Sequence, residues 1–288
     1  MWNMKKILVP TDFSDNALRA ATYAAELATR SKASICLLYV LEPTEAVLFR
    51  PATVQEKYSY ILHDNRQKEL LAFKKNVSDL YPALNITTAI VEGDAKDTIP
   101  HYCRSEGYDL IIMGTRGASG AKEFFLGSTT AAVIARATTP VLAIPDEYAL
   151  QQPDALVLAT NHFEENPELL STLAELAYLF TAPVHVVVYV EKDSTDAQTV
   201  ASLRKQLEAY VQYLQSQFPG VAFKSEVIEG TDFEGALQLY SIRQEVSIIG
   251  MVTYPKKFFD RIFHRSATQK MTFHSHIPVL AIPAAAAG

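Results

Sequence analysis

The stretch of this chain best able to do chemistry is Gly114-Thr115-Arg116-Gly117, then nine residues, then Gly127-Ser128-Thr129. Glycines let backbone amides approach an anion closely, and hydroxyls at a helix start add donors. The stretch leaves a strand-like apolar run, Asp109-Leu110-Ile111-Ile112-Met113, and enters a helix-like run, Thr130-Ala131-Ala132-Val133-Ile134-Ala135. That order of parts spells a phosphate cradle. Arg116 is a candidate to reach a phosphate, and Lys122 a weaker one. Both lie in the stretch between motif glycines that could close over a ligand. Two commoner phosphate motifs do not fit. Gly117-Ala118-Ser119-Gly120-Ala121-Lys122 lacks the Walker A spacing. Pro10-Thr11-Asp12-Phe13-Ser14 has no glycine for a dinucleotide fingerprint.

The cradle needs strands and helices to hold it. The first half predicts strands near 5–10, 34–41, 85–92, 109–114 and 140–145, with helices near 14–31, 53–81, 95–106 and 127–137. Ser14 can cap the first helix, whose apolar stripe is Ala17, Ala20, Ala21, Tyr23, Ala24, Ala25 and Leu27. Ile35-Cys36-Leu37-Leu38-Tyr39-Val40 is a continuous apolar run, which fits a parallel strand buried on both faces.

The plan then repeats. Val141-Leu142-Ala143-Ile144-Pro145 recurs as Val279-Leu280-Ala281-Ile282-Pro283, an offset of 138. Val91-Glu92-Gly93 matches Ile228-Glu229-Gly230, and Ile7-Leu8-Val9-Pro10-Thr11-Asp12 matches Leu156-Val157-Leu158-Ala159-Thr160-Asn161. Three matches in one order indicate a tandem duplication. Domains are expected at 1–147 and 154–284, joined near Gln151-Gln152-Pro153-Asp154. Second-half strands are expected near 155–160, 183–191, 221–229, 246–252 and 278–283.

Alternating strands and helices imply an α/β fold: two tandem, doubly wound, five-stranded parallel-sheet domains, Rossmann-like, of order 3-2-1-4-5. Ligands bind such sheets beyond the carboxyl ends of strands, where strand order reverses. That crevice lies between the first and fourth strands, beside Thr11-Asp12 and the stretch from Gly114 to Gly117. The cradle falls where the fold rule expects a ligand.

The spacing Gly-x-x-Gly-x9-Gly-Ser/Thr resembles the ATP-binding subgroup of the universal stress protein family. The opening Ile7-Leu8-Val9-Pro10-Thr11-Asp12-Phe13-Ser14 and the closing Thr139-Pro140-Val141-Leu142-Ala143-Ile144-Pro145 resemble that family's first and last strands. The likeness spans nearly the whole chain. It implies the nucleotide-binding α-hydrolase-like version of the fold and a stress-response or signalling role governed by nucleotide. It implies that Asp12 and the backbone of Val40 contact adenine, with Pro10 and Thr11 lining the base and ribose side. Gly114 and Gly117 would admit the ribose and phosphates. Gly127, Ser128 and Thr129 would hold the phosphates, with Mg²⁺ or Mn²⁺ accompanying the triphosphate. It further implies an intrachain pseudo-dimer of the two domains and association of two chains as a homodimer. The plainer readings are that Asp12 only caps the following helix and that the glycines only shape turns.

The second half departs from the pattern. Gly114 maps to Val252, Gly117 to Pro255, Gly127 to Arg265 and Asp12 to Asn161, while Ser128 maps to Ser266. Bulky side chains and a missing amide donor argue against nucleotide there. The basic, aromatic loop from Tyr254 to Arg265 reads as a filled pocket or a site for another anion or apolar partner. His264, His274 and His276 lack the converging ligands of a metal site. The alternatives to nucleotide-regulated signalling are a slow ATPase or nucleotidyl transferase, and a scaffold that binds no nucleotide. No catalytic base stands beside Gly127-Ser128, so no catalytic residue is assigned.

Bulk properties narrow the field. The chain has 288 residues, is 49% hydrophobic and carries a net charge of −6, which disfavours a nucleic-acid-binding surface. Cys36 and Cys103 sit in apolar runs and read as buried free thiols. No stretch reaches about 18 uninterrupted apolar residues. The opening residues make no signal-peptide core, so no membrane contact and a cytoplasmic location are expected.

Overall fold

Apolar runs too short for helices and free of charge become strands covered on both faces. The structure, a computed structural model, describes residues 4–42, 52–115, 127–148, 152–192, 196–254 and 277–284. The chain divides into two compact units between Asp146 and Glu147.

In the first unit the elements are β1 (Lys6–Pro10), α1 (Asp15–Ser31), β2 (Ser34–Leu41), α2 (Ala52–Leu80), β3 (Ile86–Glu92), α3 (Ala95–Ser105), β4 (Leu110–Gly114), α4 (Ser128–Arg136) and β5 (Val141–Ile144). The strand order is β3-β2-β1-β4-β5, and all pairs are parallel. Ile7, Leu8, Leu37, Leu38, Ile111, Ile112 and Leu142 are wholly buried. Each such side chain contributes about 1.5–3 kcal/mol of burial. Right-handed crossovers place α1 with α2 on one face and α3 with α4 on the other, and each pair is in contact.

In the second unit the elements are β6 (Ala155–Ala159), a 3₁₀ turn (Pro167–Leu170), α5 (Ser171–Phe180), β7 (Val184–Glu191), α6 (Ala197–Gln217), β8 (Phe223–Gly230), α7 (Phe233–Arg243), β9 (Val246–Thr253) and β10 (Val279–Pro283). The order β8-β7-β6-β9-β10 repeats the first unit's winding, again all parallel. Strand order, strand number and the alternation with helices agree with the pattern expected from the sequence. One difference is local: the first helix of the second unit is preceded by a 3₁₀ turn capped by Asn166, with Pro167 opening it.

Register supports the duplication residue by residue. Gly114 pairs with Ile144 and Val252 pairs with Ile282, so the 138-residue offset holds in space. Pro10 pairs with Leu38 and Ala159 with Val187, an offset of 149 on both strands. Cys36 and Cys103 are buried and free.

Candidate functional site

The site is built where β1 and β4 end side by side. Leu8 lies opposite Ile111, and continuing that register brings Thr11 level with Gly114. Beyond β1 the chain stays pinned for one more residue, because the Thr11 amide donates to Leu38 O at 2.8 Å. Thr11 is 8% exposed, and its Oγ1 accepts from the Phe13 amide at 3.0 Å. Asp12 is exposed. Its Oδ1 accepts from the Ser14 amide at 3.1 Å and from the Ser14 hydroxyl at 2.6 Å. Ser14 in turn accepts from the Ala17 amide at 3.2 Å and is the N-cap of α1. Asp12 therefore organises the turn into α1 through Ser14, while Ser14 itself caps the helix.

Gly114 has a packing reason to be glycine. A Cβ there would fall 2.2 Å from Asn16 Oδ1 and 3.1 Å from Asn16 O. Asn16 is 4% exposed, and its Nδ2 donates to Ile144 O at 3.3 Å. The same Ile144 carbonyl accepts the Thr115 amide at 3.0 Å. On the other side, Thr130 Oγ1 donates to Gly114 O at 2.8 Å, and the Gly127 amide donates to Thr115 O at 2.6 Å. The exits of β4 and β5 and the starts of α1 and α4 are thus joined in one hydrogen-bonded set.

That set fixes the N-terminus of α4 above the end of β4. Gly127 is the N-cap residue, and among the described residues no side chain caps the helix. Ser128 is exposed and Thr129 half-buried. An uncapped helix start presents amide donors and a positive dipole end, which favour an anion. The residues brought together are Pro10, Thr11, Asp12, Gly114, Gly127, Ser128 and Thr129. Val40 is half-buried on β2, two residues past the partner of Pro10. Arg116, Gly117 and Lys122 lie outside the described residues. Among the described residues no group of three or more His, Cys, Asp or Glu is poised to hold a metal ion.

An aromatic group that sequence reading missed supports the β1 side. Phe13 stacks on Tyr39, with centroids 4.8 Å apart and planes 8° apart, and meets Phe73 of α2 edge-on at 6.0 Å. The Arg66 guanidinium lies over the Tyr39 ring at 5.6 Å. Burial raises the Tyr39 phenol pKa, and the Arg66 charge opposes that rise.

The matching place in the second unit is filled differently. The Thr160 amide donates to Val187 O at 3.0 Å, repeating the Thr11 contact. Val252 stands level with Thr160, where the first unit has Gly114. Tyr189 occupies the Val40 position, and its hydroxyl donates to Gly230 O at 3.0 Å. His162 meets Tyr254 edge-on at 5.3 Å. Pro255, His264, Arg265, Ser266, His274 and His276 lie outside the described residues.

Each unit is a doubly wound α/β domain, and at the first unit's switch point the start of α4 has no side-chain cap among the described residues. The chain belongs to the universal stress protein family. The model of the universal stress protein family matches residues 3–145. A universal stress protein of Methanocaldococcus jannaschii is 33% identical over 140 residues, 49% of this chain and 81% of that one. A universal stress protein of Synechocystis is 26% identical over 219 residues, 69% of this chain and 75% of its own. In fold, the chain is similar to a universal stress protein from Archaeoglobus fulgidus, with a TM-score of 0.71 at 19% identity. That likeness covers 98% of this chain and 99% of the other. No helix among the described residues is long and apolar enough to cross a membrane.

Proposed function

We propose that the first unit binds ATP and that the chain acts as a nucleotide-dependent stress-response or signalling module. The observation that carries this reading is the α4 N-terminus, tied to the end of β4 and, among the described residues, without a side-chain cap. Oriented amides there suit a phosphate chain. Gly127, Ser128 and Thr129 take the phosphates in this reading, with Gly114, Arg116 and Gly117 alongside the ribose and phosphates. Pro10, Thr11, Asp12 and the Val40 backbone take the adenine end. Mg²⁺ or Mn²⁺ enters as the partner of the triphosphate, which supplies most of its ligands.

We further infer that residues 154–284 form a second universal stress protein domain that does not bind ATP in this mode. The shared register and strand order support the common ancestry of the halves. Val252 in place of Gly114 supports the loss, because the second unit carries a branched side chain beside Thr160 where the first unit has only a glycine hydrogen. The test is chemical. Purified protein is denatured and the released small molecules are identified, and the native protein is melted with and without Mg-ATP. Released adenine nucleotide and a higher melting temperature with Mg-ATP are expected. Repeated absence of both sinks the proposal.

A further inference from the structure

Four non-glycine residues among those described have positive φ: Phe13, Lys32, Thr181 and Glu245. Lys32 and Thr181 are the C-caps of α1 and α5, and Glu245 follows the C-cap of α7. Left-handed backbone is ordinary at helix ends. Phe13, at φ 66°, instead precedes a helix and sits between Asp12 and the N-cap Ser14. An aromatic residue held in that conformation needs surroundings that over-determine it. Three contacts do so: Thr11 Oγ1 on its amide, Tyr39 flat against its ring, and Phe73 at its edge.

The consequence is directional. Tyr39 adjoins Val40 on β2, and Phe13 adjoins Asp12, so the stack locks the two walls of the base end to each other. The second unit carries no such lock. His162 stands at the Phe13 position without positive φ, and Val188 stands at the Tyr39 position. The unit with Val252 in place of Gly114 is also the unit without the stack.

We propose that Phe13 is a positioning residue that sets base selectivity in the first unit's crevice, acting through its stack on Tyr39. The proposal rests on the ATP-binding reading above. A carboxylate such as Asp12 accepts from the exocyclic amine of adenine. It meets the guanine carbonyl at the same ring position as acceptor against acceptor, so its orientation decides between the two bases. The phosphate end lies on α4 and does not depend on the stack.

The test uses the full chain with ATP, GTP and inorganic tripolyphosphate. Phe13→Gly is the informative variant, because glycine adopts positive φ freely and the turn keeps its backbone while losing the ring. Phe13→Gly is expected to weaken ATP about tenfold or more, with GTP and tripolyphosphate held within about twofold. Tyr39→Leu should reproduce that loss, and the double variant should be no worse than either single one. Phe13→Tyr, which keeps the stack, should recover ATP. If Phe13→Gly keeps the ATP-to-GTP ratio, or weakens all three ligands equally, the positioning role is overturned while ATP binding stands. If the unaltered chain binds no ATP, both fall together.

Discussion

Replacing Gly114 with alanine should destabilise the first unit through Asn16, before any ligand is considered. The added methyl would sit 2.2 Å from Asn16 Oδ1 and 2.6 Å from its Cγ, well inside contact distance. Asn16 cannot easily yield, since it is 4% exposed and holds Ile144 O through Nδ2. Overpacking of this kind costs about 1–3 kcal/mol. Asn16→Ala opens the space and gives up the Nδ2 bond to Ile144 O, worth about 0.5–1.5 kcal/mol, while Ile144 O keeps the Thr115 amide. The double variant Gly114→Ala with Asn16→Ala should therefore cost less than the sum of the two singles, the remainder being the 3.1 Å approach to the Asn16 backbone oxygen, which Asn16→Ala leaves in place. Scanning calorimetry of the full chain reads this from the first unit's transition, which should fall by about 2–4 °C per kcal/mol. Gly114→Ala melting like the unaltered chain would refute the packing argument. So would a double variant whose loss equals the sum of the singles, since coupling is what contact requires.

Three further outcomes follow from single sites. His185 is 4% exposed, shares a 2.9 Å hydrogen bond with the Tyr240 hydroxyl, and has a buried Nε2 without a hydrogen-bond partner among the described residues. Burial, then the Lys224 charge, lowers its pKa from 6.5, so the unfolded chain binds the proton more readily than the folded one. Stability of the second unit is then full above about pH 6.5 and falls as pH drops towards the folded pKa, by about 1.4 kcal/mol per unit, levelling off below it. Denaturation from pH 8 to pH 5 should show this slope and His185→Gln should flatten it; an unchanged slope refutes the assignment. Burial pushes the Cys103 thiol up to about 11, and Cys36 is buried too, so native protein at pH 8 should show no fast-reacting thiol and unfolded protein two. A rapid native reaction contradicts this. Ser14→Ala should cost about 1 kcal/mol by uncapping α1, with Ser14→Thr largely restoring it on the same calorimetric scale; equal melting of the two variants speaks against the cap.

Much of the fold was legible because it rests on local pattern. The runs Ile35 to Val40 and Leu110 to Met113 are apolar enough to announce buried parallel strands, and the repeated Val-Leu-Ala-Ile-Pro announces the second unit. Ser14 before an apolar stripe announces its helix. The switch-point rule then brings Thr11 and Gly114 together without coordinates. What stayed hidden depends on partners far apart in sequence. Gly114 reads as an opening for ligand, yet its nearest constraint is Asn16, which no spacing ties to it. Thr130 reads as one more helix residue, yet its hydroxyl seats α4 on β4. Phe13 reads as an ordinary apolar residue, because neither its left-handed backbone nor its stack on Tyr39 leaves a periodic signal. The role of Asp12 was legible only as a choice between capping and contact, and the structure gives the cap to Ser14.

The account turns on one nucleotide site per chain, and the stoichiometry of Mg-ATP binding tests it most directly. Calorimetric titration of the full chain should give about one ATP per chain. Gly127→Arg, which introduces at the start of α4 the residue type that the 138-residue sequence offset aligns with it, Arg265, should abolish that binding while the fold stays intact by circular dichroism. Two nucleotides per chain, or one that survives Gly127→Arg, would contradict the account.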